Sequence, residues 1–176
     1  MSAICPFEEC FFDELKEMIR YQELKKLEYF SRVEEPSTRF AFLVEGILRI
    51  YYLSERGVEH NKHFLFKNNF LAASINLHKK SITNIQALTA TKLIWFDQEL
   101  FISLLNKYNH TSFIHLVLEN YLEEKQNREI SLLSNNSKEN YRKFLVDYPG
   151  LEKNIASYHI ASYLGITPTQ LSRIKK

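Results

Sequence analysis

The sequence has few cysteines and no long hydrophobic run. Its two cysteines, Cys5 and Cys10, are too few for a disulfide scaffold, and a zinc or iron–sulfur site built on cysteine needs about three or four soft ligands. We therefore expect two reduced thiols, no metal site and no other cofactor. The sequence also lacks an apolar run of about 18 residues and a signal-peptide pattern. These absences predict a cytoplasmic protein that does not enter a membrane.

Charge is unevenly distributed along the chain. The net charge is +2 at neutral pH. Residues 135–176 carry seven lysines and arginines against three acids, a net charge of +4, which leaves −2 for residues 1–134. A basic C-terminal part behind a mildly acidic body predicts a polyanionic partner for that part.

Short segments rich in Tyr, Phe, Ile, Leu and Val dominate residues 21–97, after a predicted helix over residues 7–20. Turn signals such as "EEPSTR" and "SERG" separate them, and Gly46 and Gly57 stand where turns need positive φ. The clearest predicted strands cover residues 40–45, 47–53 and 58–66, and two more fit "NIQALTA" and "KLIWFD". Many short strands at this spacing predict an antiparallel β-roll of the jelly-roll type.

Helical patterns follow the strands. Asp97 is a predicted N-cap for "QELFISLLNKY". A long helix is then predicted over residues 111–133, too long for so small a domain to cover, so it either bridges domains or pairs with a copy of itself. "SNNSKEN" is the predicted linker, with Ser137 as N-cap of one more helix in "KENYRKFLVDYPG".

The last residues, "NIASYHIASYLGITPTQLSRIKK", contain two short helices joined at a glycine. Gly165 follows the apolar face of the first helix, where the chain must leave the helix in a left-handed conformation. Thr167 and Gln170 have the spacing of a capping box, and Pro168 stands in the first turn, where a missing N–H costs nothing. This arrangement predicts a helix-turn-helix.

The outward face of the second helix is polar and cationic, which suits base edges and phosphates in a major groove. Arg173 is the main candidate for guanine or phosphate, and Gln170 is a candidate base reader. The predicted DNA-binding residues are Thr167, Thr169, Gln170, Ser172, Arg173, Lys175 and Lys176.

With these segments in view, the chain resembles the Crp/Fnr family of bacterial transcription regulators. "IASYLGITPTQLSRIKK" is similar to the signature "IASYLGIT…LSRI", and "YRKFLVDYPGL" resembles the segment that usually precedes it. The resemblance implies a homodimer whose paired long helices connect an effector-sensing roll to helices that read double-stranded DNA. It also implies contact with RNA polymerase and an inverted-repeat operator whose half-sites lie about 34 Å apart.

We therefore expect an α+β protein in three parts. These are a cupin-like roll (a double-stranded β-helix) over residues 1–110, a dimerisation helix over 111–133 and a helix-turn-helix domain over 134–176. The recognition helix is predicted at about residues 168–176. Because the sequence ends inside it, we expect a wingless or shortened form with weak DNA affinity.

The resemblance also locates an effector pocket. Family members that bind cyclic AMP carry a Gly-Glu-Leu segment and an Arg-Ser pair around the phosphate. No arginine lies between Arg56 and Arg128 here, and burying an unpaired phosphate is costly. The roll is therefore predicted not to bind cyclic AMP in the usual way, and its effector is an unknown small molecule or none. The candidate pocket residues at the matching positions are Ala72, Ala73, Ser81, Ile82 and Thr83.

Three other functions remain alternatives. A haem sensor would use His78 as an axial ligand, although a lone loop histidine is usually just exposed. A cupin-like metal enzyme would use Glu59, His60 and His63, but His60 and His63 are three apart on a predicted strand and point to opposite faces. No catalytic motif accompanies them, so no enzyme is expected. The third alternative is a sensor or protein-interaction module that does not bind DNA.

Overall fold

Two antiparallel sheets form the N-terminal half of the chain, and the computed structural model describes residues 8–74 and 79–176. In spatial order, the first sheet contains β1 (Arg20–Leu24), β8 (Thr91–Asp97), β3 (Arg39–Glu45) and β6 (Phe70–Ala72). The second contains β2 (Tyr29–Ser31), β7 (Asn84–Ala87), β4 (Leu48–Leu53) and β5 (Glu59–Leu65). The predicted antiparallel jelly roll within an α+β fold is confirmed.

All eight of these strands contribute residues to one hydrophobic core between the two sheets. Leu43, Leu48 and Ile85 are fully buried at its centre. The β3–β4 turn depends on Gly46, which has φ of 101°, and a Cβ there would lie 2.5 Å from the Ala90 carbonyl oxygen. The positive φ and this close approach together explain the glycine.

Six α-helices lie within the described residues. They are α1 (Glu9–Met18), α2 (Gln98–Lys107), α3 (Ser112–Ser134), α4 (Ser137–Asp147), α5 (Ser157–Leu164) and α6 (Pro168–Ile174). Asp97 caps α2 as predicted, because its side chain accepts from the N–H groups of Glu99 and Leu100. Within the part of the chain described, no helix is both long and apolar enough to cross a membrane.

The predicted N-cap of α4 is wrong by one residue. Asn136 is the cap, and its side chain accepts from the N–H groups of Lys138 and Glu139 at 3.0 Å. The Glu139 carboxylate in turn accepts from the Asn136 N–H at 2.8 Å. A capping box needs Glu or Gln three residues after the cap. Asn136 has Glu139 there, whereas Ser137 has Asn140, so Ser137 becomes the first helical residue.

A second core joins the roll to the C-terminal helices. Phe64 of β5 and Leu88 after β7 pack with buried residues of the helical part, which include Phe144, Ile160 and Leu171. Helices α4 and α5 are therefore packed on the second sheet, and α6 packs against these two helices.

Candidate nucleic-acid interface

The turn between α5 and α6 has the predicted geometry. Gly165 is left-handed, with φ of 69°, and the Ile166 N–H donates back to the Ala161 carbonyl at 3.0 Å. Ile160, Ala161 and Leu164 are buried, so α5 presents its apolar face to the second core. The glycine ends α5 without the steric cost that a side chain would meet.

The start of α6 is fixed by the predicted capping box. Thr167 Oγ1 accepts from the Gln170 N–H at 3.1 Å, and Gln170 Oε1 accepts from the Thr167 N–H at 2.9 Å. Pro168 occupies the first helical position. Leu171 is 1% exposed and Ile174 is half-buried, so the two apolar residues of α6 face inward.

The outer face of α6 is exposed to solvent. Six of the seven predicted DNA contacts lie there without an ion pair to a described residue: Thr167, Thr169, Gln170, Ser172, Arg173 and Lys176. The cap already uses the side-chain oxygen of Gln170, Oε1. Only the side-chain nitrogen, Nε2, is therefore left for a base edge. A bidentate contact with adenine needs both atoms, so Gln170 can make it only by breaking the cap.

Lys175 is held by its own domain instead. Its Nζ lies 3.4 Å from a Glu152 carboxylate oxygen and over the ring of Tyr141. Tyr141 also donates to Glu152 at 2.6 Å, and the hydrogen bonds from Tyr141 and Lys175 lower the pKa of that carboxyl. Lys175 must leave this pair before it can contact a phosphate.

Helix α5 is docked on the roll through polar groups that sequence analysis did not single out. Ser162 accepts from the Asn61 N–H at 3.0 Å and donates to the Glu59 carbonyl at 2.9 Å. The Asn61 side chain donates to the His159 carbonyl at 2.9 Å. These bonds join α5 to β5 by backbone and side-chain groups of both elements.

A buried arginine completes this contact. Arg49 of β4 donates to Gln86 at 2.6 and 2.9 Å, to Glu59 at 2.6 Å and towards His159 Nδ1 at 3.3 Å. Since arginine can only donate, His159 Nδ1 is an acceptor and the ring is neutral. Burial, and then the charge of Arg49, lowers the pKa of His159 to about 4.

Helix α3 has no buried residue in the single chain, although it is 23 residues long. Large apolar side chains near both of its ends face solvent, and Leu133 is 82% exposed. The other exposed aliphatic residues of α3 include Leu116, Leu122, Ile130 and Leu132. Such a helix leaves an apolar surface uncovered.

The five predicted effector residues differ in how far they are exposed and in whether their side chains are already bonded. Ser81 is fully buried, and its hydroxyl donates to the Thr83 carbonyl at 2.6 Å. Ile82 is 76% exposed, while Ala72 and Ala73 are half-buried. The Ser81 hydroxyl is therefore already bonded within the chain. His78, the candidate haem ligand, lies outside the described residues.

The residues of the alternative metal site do not converge. The His60 ring stacks on Tyr52, His63 Nδ1 lies 2.9 Å from the Tyr148 hydroxyl, and Glu59 pairs with Arg49. Among residues 8–74 and 79–176, no three potential ligands come together around a metal position.

Known proteins resemble the chain in fold. The family model of the cyclic nucleotide-binding domain matches residues 21–108. Among solved structures, FixK2 from Bradyrhizobium japonicum has a TM-score of 0.81 at 15% identity, covering 89% of this chain and 82% of that one. A protein from Eubacterium rectale described as a Crp/Fnr-family transcriptional regulator has a TM-score of 0.77 at 17% identity, covering 96% and 82%.

A third similar structure is the c-di-GMP responsive global regulator CLP of Xanthomonas campestris. Its TM-score is 0.74 at 10% identity, with 95% of this chain and 89% of that chain covered. A search of curated protein sequences returns no match. At these identities the structures establish a common fold.

Proposed function

The chain belongs to the cyclic nucleotide-binding domain family, and we propose that it is a DNA-binding transcriptional regulator of the Crp/Fnr type. The observation that carries this proposal is α6. It is a capped helix whose apolar residues face the core while Arg173 and its polar neighbours face solvent. A helix of this form is suited to enter a major groove. The net charge of +4 over residues 135–176 supports a polyanionic partner.

We further propose a homodimer formed by α3. At about 1.5 Å per residue the helix is about 34 Å long, and its exposed leucines at both ends would be covered by the same helix of a second copy. A two-fold dimer would present two copies of α6 to successive major grooves of an inverted-repeat site. RNA polymerase remains a proposed partner. The proposed division of the chain is a roll over residues 1–110, a dimerisation helix over 111–133 and a helix-turn-helix domain over 134–176.

Replacing Arg173 by alanine is expected to weaken binding to specific DNA by about 1–3 kcal/mol, because a bidentate contact to guanine is lost. The DNA would be a duplex selected by the wild-type protein from a random pool, and the measurement is a gel shift at two salt concentrations. The matched control is Arg142→Ala, which removes the same charge from an exposed position on α4.

Binding to a random duplex is measured beside binding to the selected one. The comparison distinguishes a base contact of Arg173 from a phosphate contact. Equal losses on selected and random duplexes would make it a phosphate contact. If wild-type protein shifts no DNA at low salt, where phosphate contacts are strongest, the regulator proposal fails and the protein-interaction module becomes the better account.

Replacing Leu133 by glutamate is expected to weaken self-association about tenfold, because a charge enters the proposed α3–α3 contact. Sedimentation equilibrium measures the monomer–dimer constant. Val146→Glu on α4 is the control, since Val146 is also strongly exposed and lies outside α3. Equal dimer constants for the two variants would place the dimer contact elsewhere.

We propose that the roll does not hold a cyclic nucleotide through the usual arginine–phosphate contact. The sequence contains no arginine between positions 57 and 127, and the Ser81 hydroxyl is bonded to Thr83. An effector at Ala72, Ala73, Ser81, Ile82 and Thr83 would have to bind without those two phosphate ligands.

A further inference from the structure

A cavity of about 280 Å³ lies where the roll meets the C-terminal helices. Its walls come from β5, α3, α4 and α5, and none of the five predicted effector residues lines it. We call it the interdomain cavity. Phe66 and Tyr148 supply aromatic surface, while Lys125 and Arg128 bring positive charge from α3.

Arg128 lines this cavity and is only partly used by the rest of the chain. Its Nη2 donates to the Tyr163 carbonyl at 2.8 Å, and its guanidinium stacks 3.8 Å from the centre of the Tyr163 ring. Nη1 is buried and has no hydrogen-bond partner. Among residues 8–74 and 79–176 no carboxylate forms an ion pair with Arg128, so its positive charge favours an anion in the cavity that it lines.

Lys125 adds a second cation whose charge is not neutralised. It forms no ion pair with a carboxylate in residues 8–74 or 79–176, and burial followed by the charges of Lys62 and Arg128 lowers its pKa. One carboxylate of the cavity, Asp147, is paired with Lys143 at 3.4 Å. The other, Glu124, lies 3.7 Å from His63 Nε2.

His63 does not supply a charge to that contact. Burial, and then the charges of Lys125 and Arg128, lowers the pKa of His63 to about 3, and its Nδ1 lies 2.9 Å from the Tyr148 hydroxyl. The ring is therefore neutral near pH 7. The cavity thus combines two cations without a carboxylate partner, Arg128 and Lys125, with an aromatic wall.

We propose that the interdomain cavity binds a small organic anion whose carboxylate or phosphate pairs with the Arg128 guanidinium and with Lys125. The body of the ligand packs against Phe66 and Tyr148. The volume lies near the lower end of the range for small-molecule sites, about 300–1,000 Å³, which favours a compact ligand. Because the walls come from both parts of the chain, a bound anion stabilises the packing of the roll against α4 and α5.

The test titrates the full chain with benzoate and phenyl phosphate, using the neutral compounds benzamide and phenol as matched controls. Backbone amide NMR shifts of residues around the cavity report binding. At least one anion is expected to bind and both neutral compounds are expected to fail. Binding of benzoate alone assigns a carboxylate ligand, and binding of phenyl phosphate alone assigns a phosphate ligand.

Two variants locate the anion. Arg128→Gln is expected to weaken binding about tenfold or more, since a charge-assisted hydrogen bond is lost, and Lys125→Gln several-fold. The contact of Lys125 within its own helix is with the Tyr121 ring, at 4.8 Å from Nζ to the ring centre. Because that surface contact is weak, this variant tests the site even where Arg128→Gln perturbs folding. Lys138→Gln, an exposed lysine on α4 outside the cavity, should bind as wild type.

Failure of both anions to bind, equal binding of the neutral compounds, or equal affinities of Lys125→Gln and Lys138→Gln would overturn the proposal. No DNA enters the measurement, so its result is independent of the proposed regulator activity.

Discussion

Replacing Phe64 by alanine is expected to lower the free energy of unfolding by about 3–5 kcal/mol, because this ring joins the roll to the C-terminal helices. Phe64 is fully buried on β5. Its ring lies 5.5–6.1 Å from those of Phe144, Tyr148 and Tyr163, all of which belong to the helical part. Alanine leaves a cavity at a position where both parts of the chain supply the walls.

Urea denaturation with two probes distinguishes loss of docking from general destabilisation. Trp95, the sole tryptophan, packs against the core of the roll, so its fluorescence reports the roll, while far-ultraviolet circular dichroism at 222 nm reports mainly helix. In Phe64→Ala the helical signal should be lost at lower urea than the tryptophan signal.

The matched control for this experiment is Phe30→Ala. Phe30 is buried in the core between the two sheets and lies outside the shared core. Its loss should move the tryptophan transition at least as far as the helical one. A Phe64→Ala protein that unfolds at the wild-type urea concentration would show that the ring does not hold the two parts together.

Replacing Arg49 by methionine is expected to cost about 2–4 kcal/mol, because it removes the donors to buried acceptors on Gln86 and His159. This expected loss is smaller than the loss for breaking a fully buried ion pair. The Glu59 side chain is 42% exposed, so water can solvate its carboxylate when Arg49 is absent. The matched control is Arg32→Met. Arg32 stacks 3.9 Å from the Tyr29 ring just as Arg49 stacks on Tyr51, but it is exposed.

The pKa of His159 gives a readout that general destabilisation would not change. In the wild-type protein it is lowered from 6.5 to about 4, first by burial and then by Arg49. Removing Arg49 should raise this pKa part of the way back, because burial remains. An NMR titration of the histidine rings measures it, and an unchanged His159 pKa in Arg49→Met would contradict the contact.

The lowered pKa of His159 also determines how the stability of the fold changes in acid. The unfolded chain binds a proton at His159 near pH 6.5 and the folded chain only near pH 4, so stability is full above pH 6.5 and falls as the pH drops towards 4. His63, whose pKa is lowered to about 3, acts in the same direction. The stability lost between pH 6.5 and pH 4 should therefore be smaller in Arg49→Met than in the wild-type protein.

Local signals determined the parts of this protein that depend on a few neighbouring residues. The left-handed Gly165 and the capping box of Thr167 and Gln170 were predictable, because each is a contact within about four residues of chain. Short segments rich in apolar and aromatic residues, separated by turn signals, likewise predicted β3, β4 and β5 within a residue or two. The one wrong cap, Ser137, is also local. Two adjacent residues offered good capping side chains, and the position of Glu139 decided between them.

Only the tertiary structure decided how α5 meets the roll. Arg49 and His159 are 110 residues apart in sequence, and nothing near either one indicates its partner. The same holds for the unpaired Arg128 donor, because α3 gains its neighbours on β5 and α5 only when the chain folds back on the second sheet. Periodicity and capping report contacts along the chain, whereas burial and hydrogen bonding between distant segments depend on which surfaces fit together.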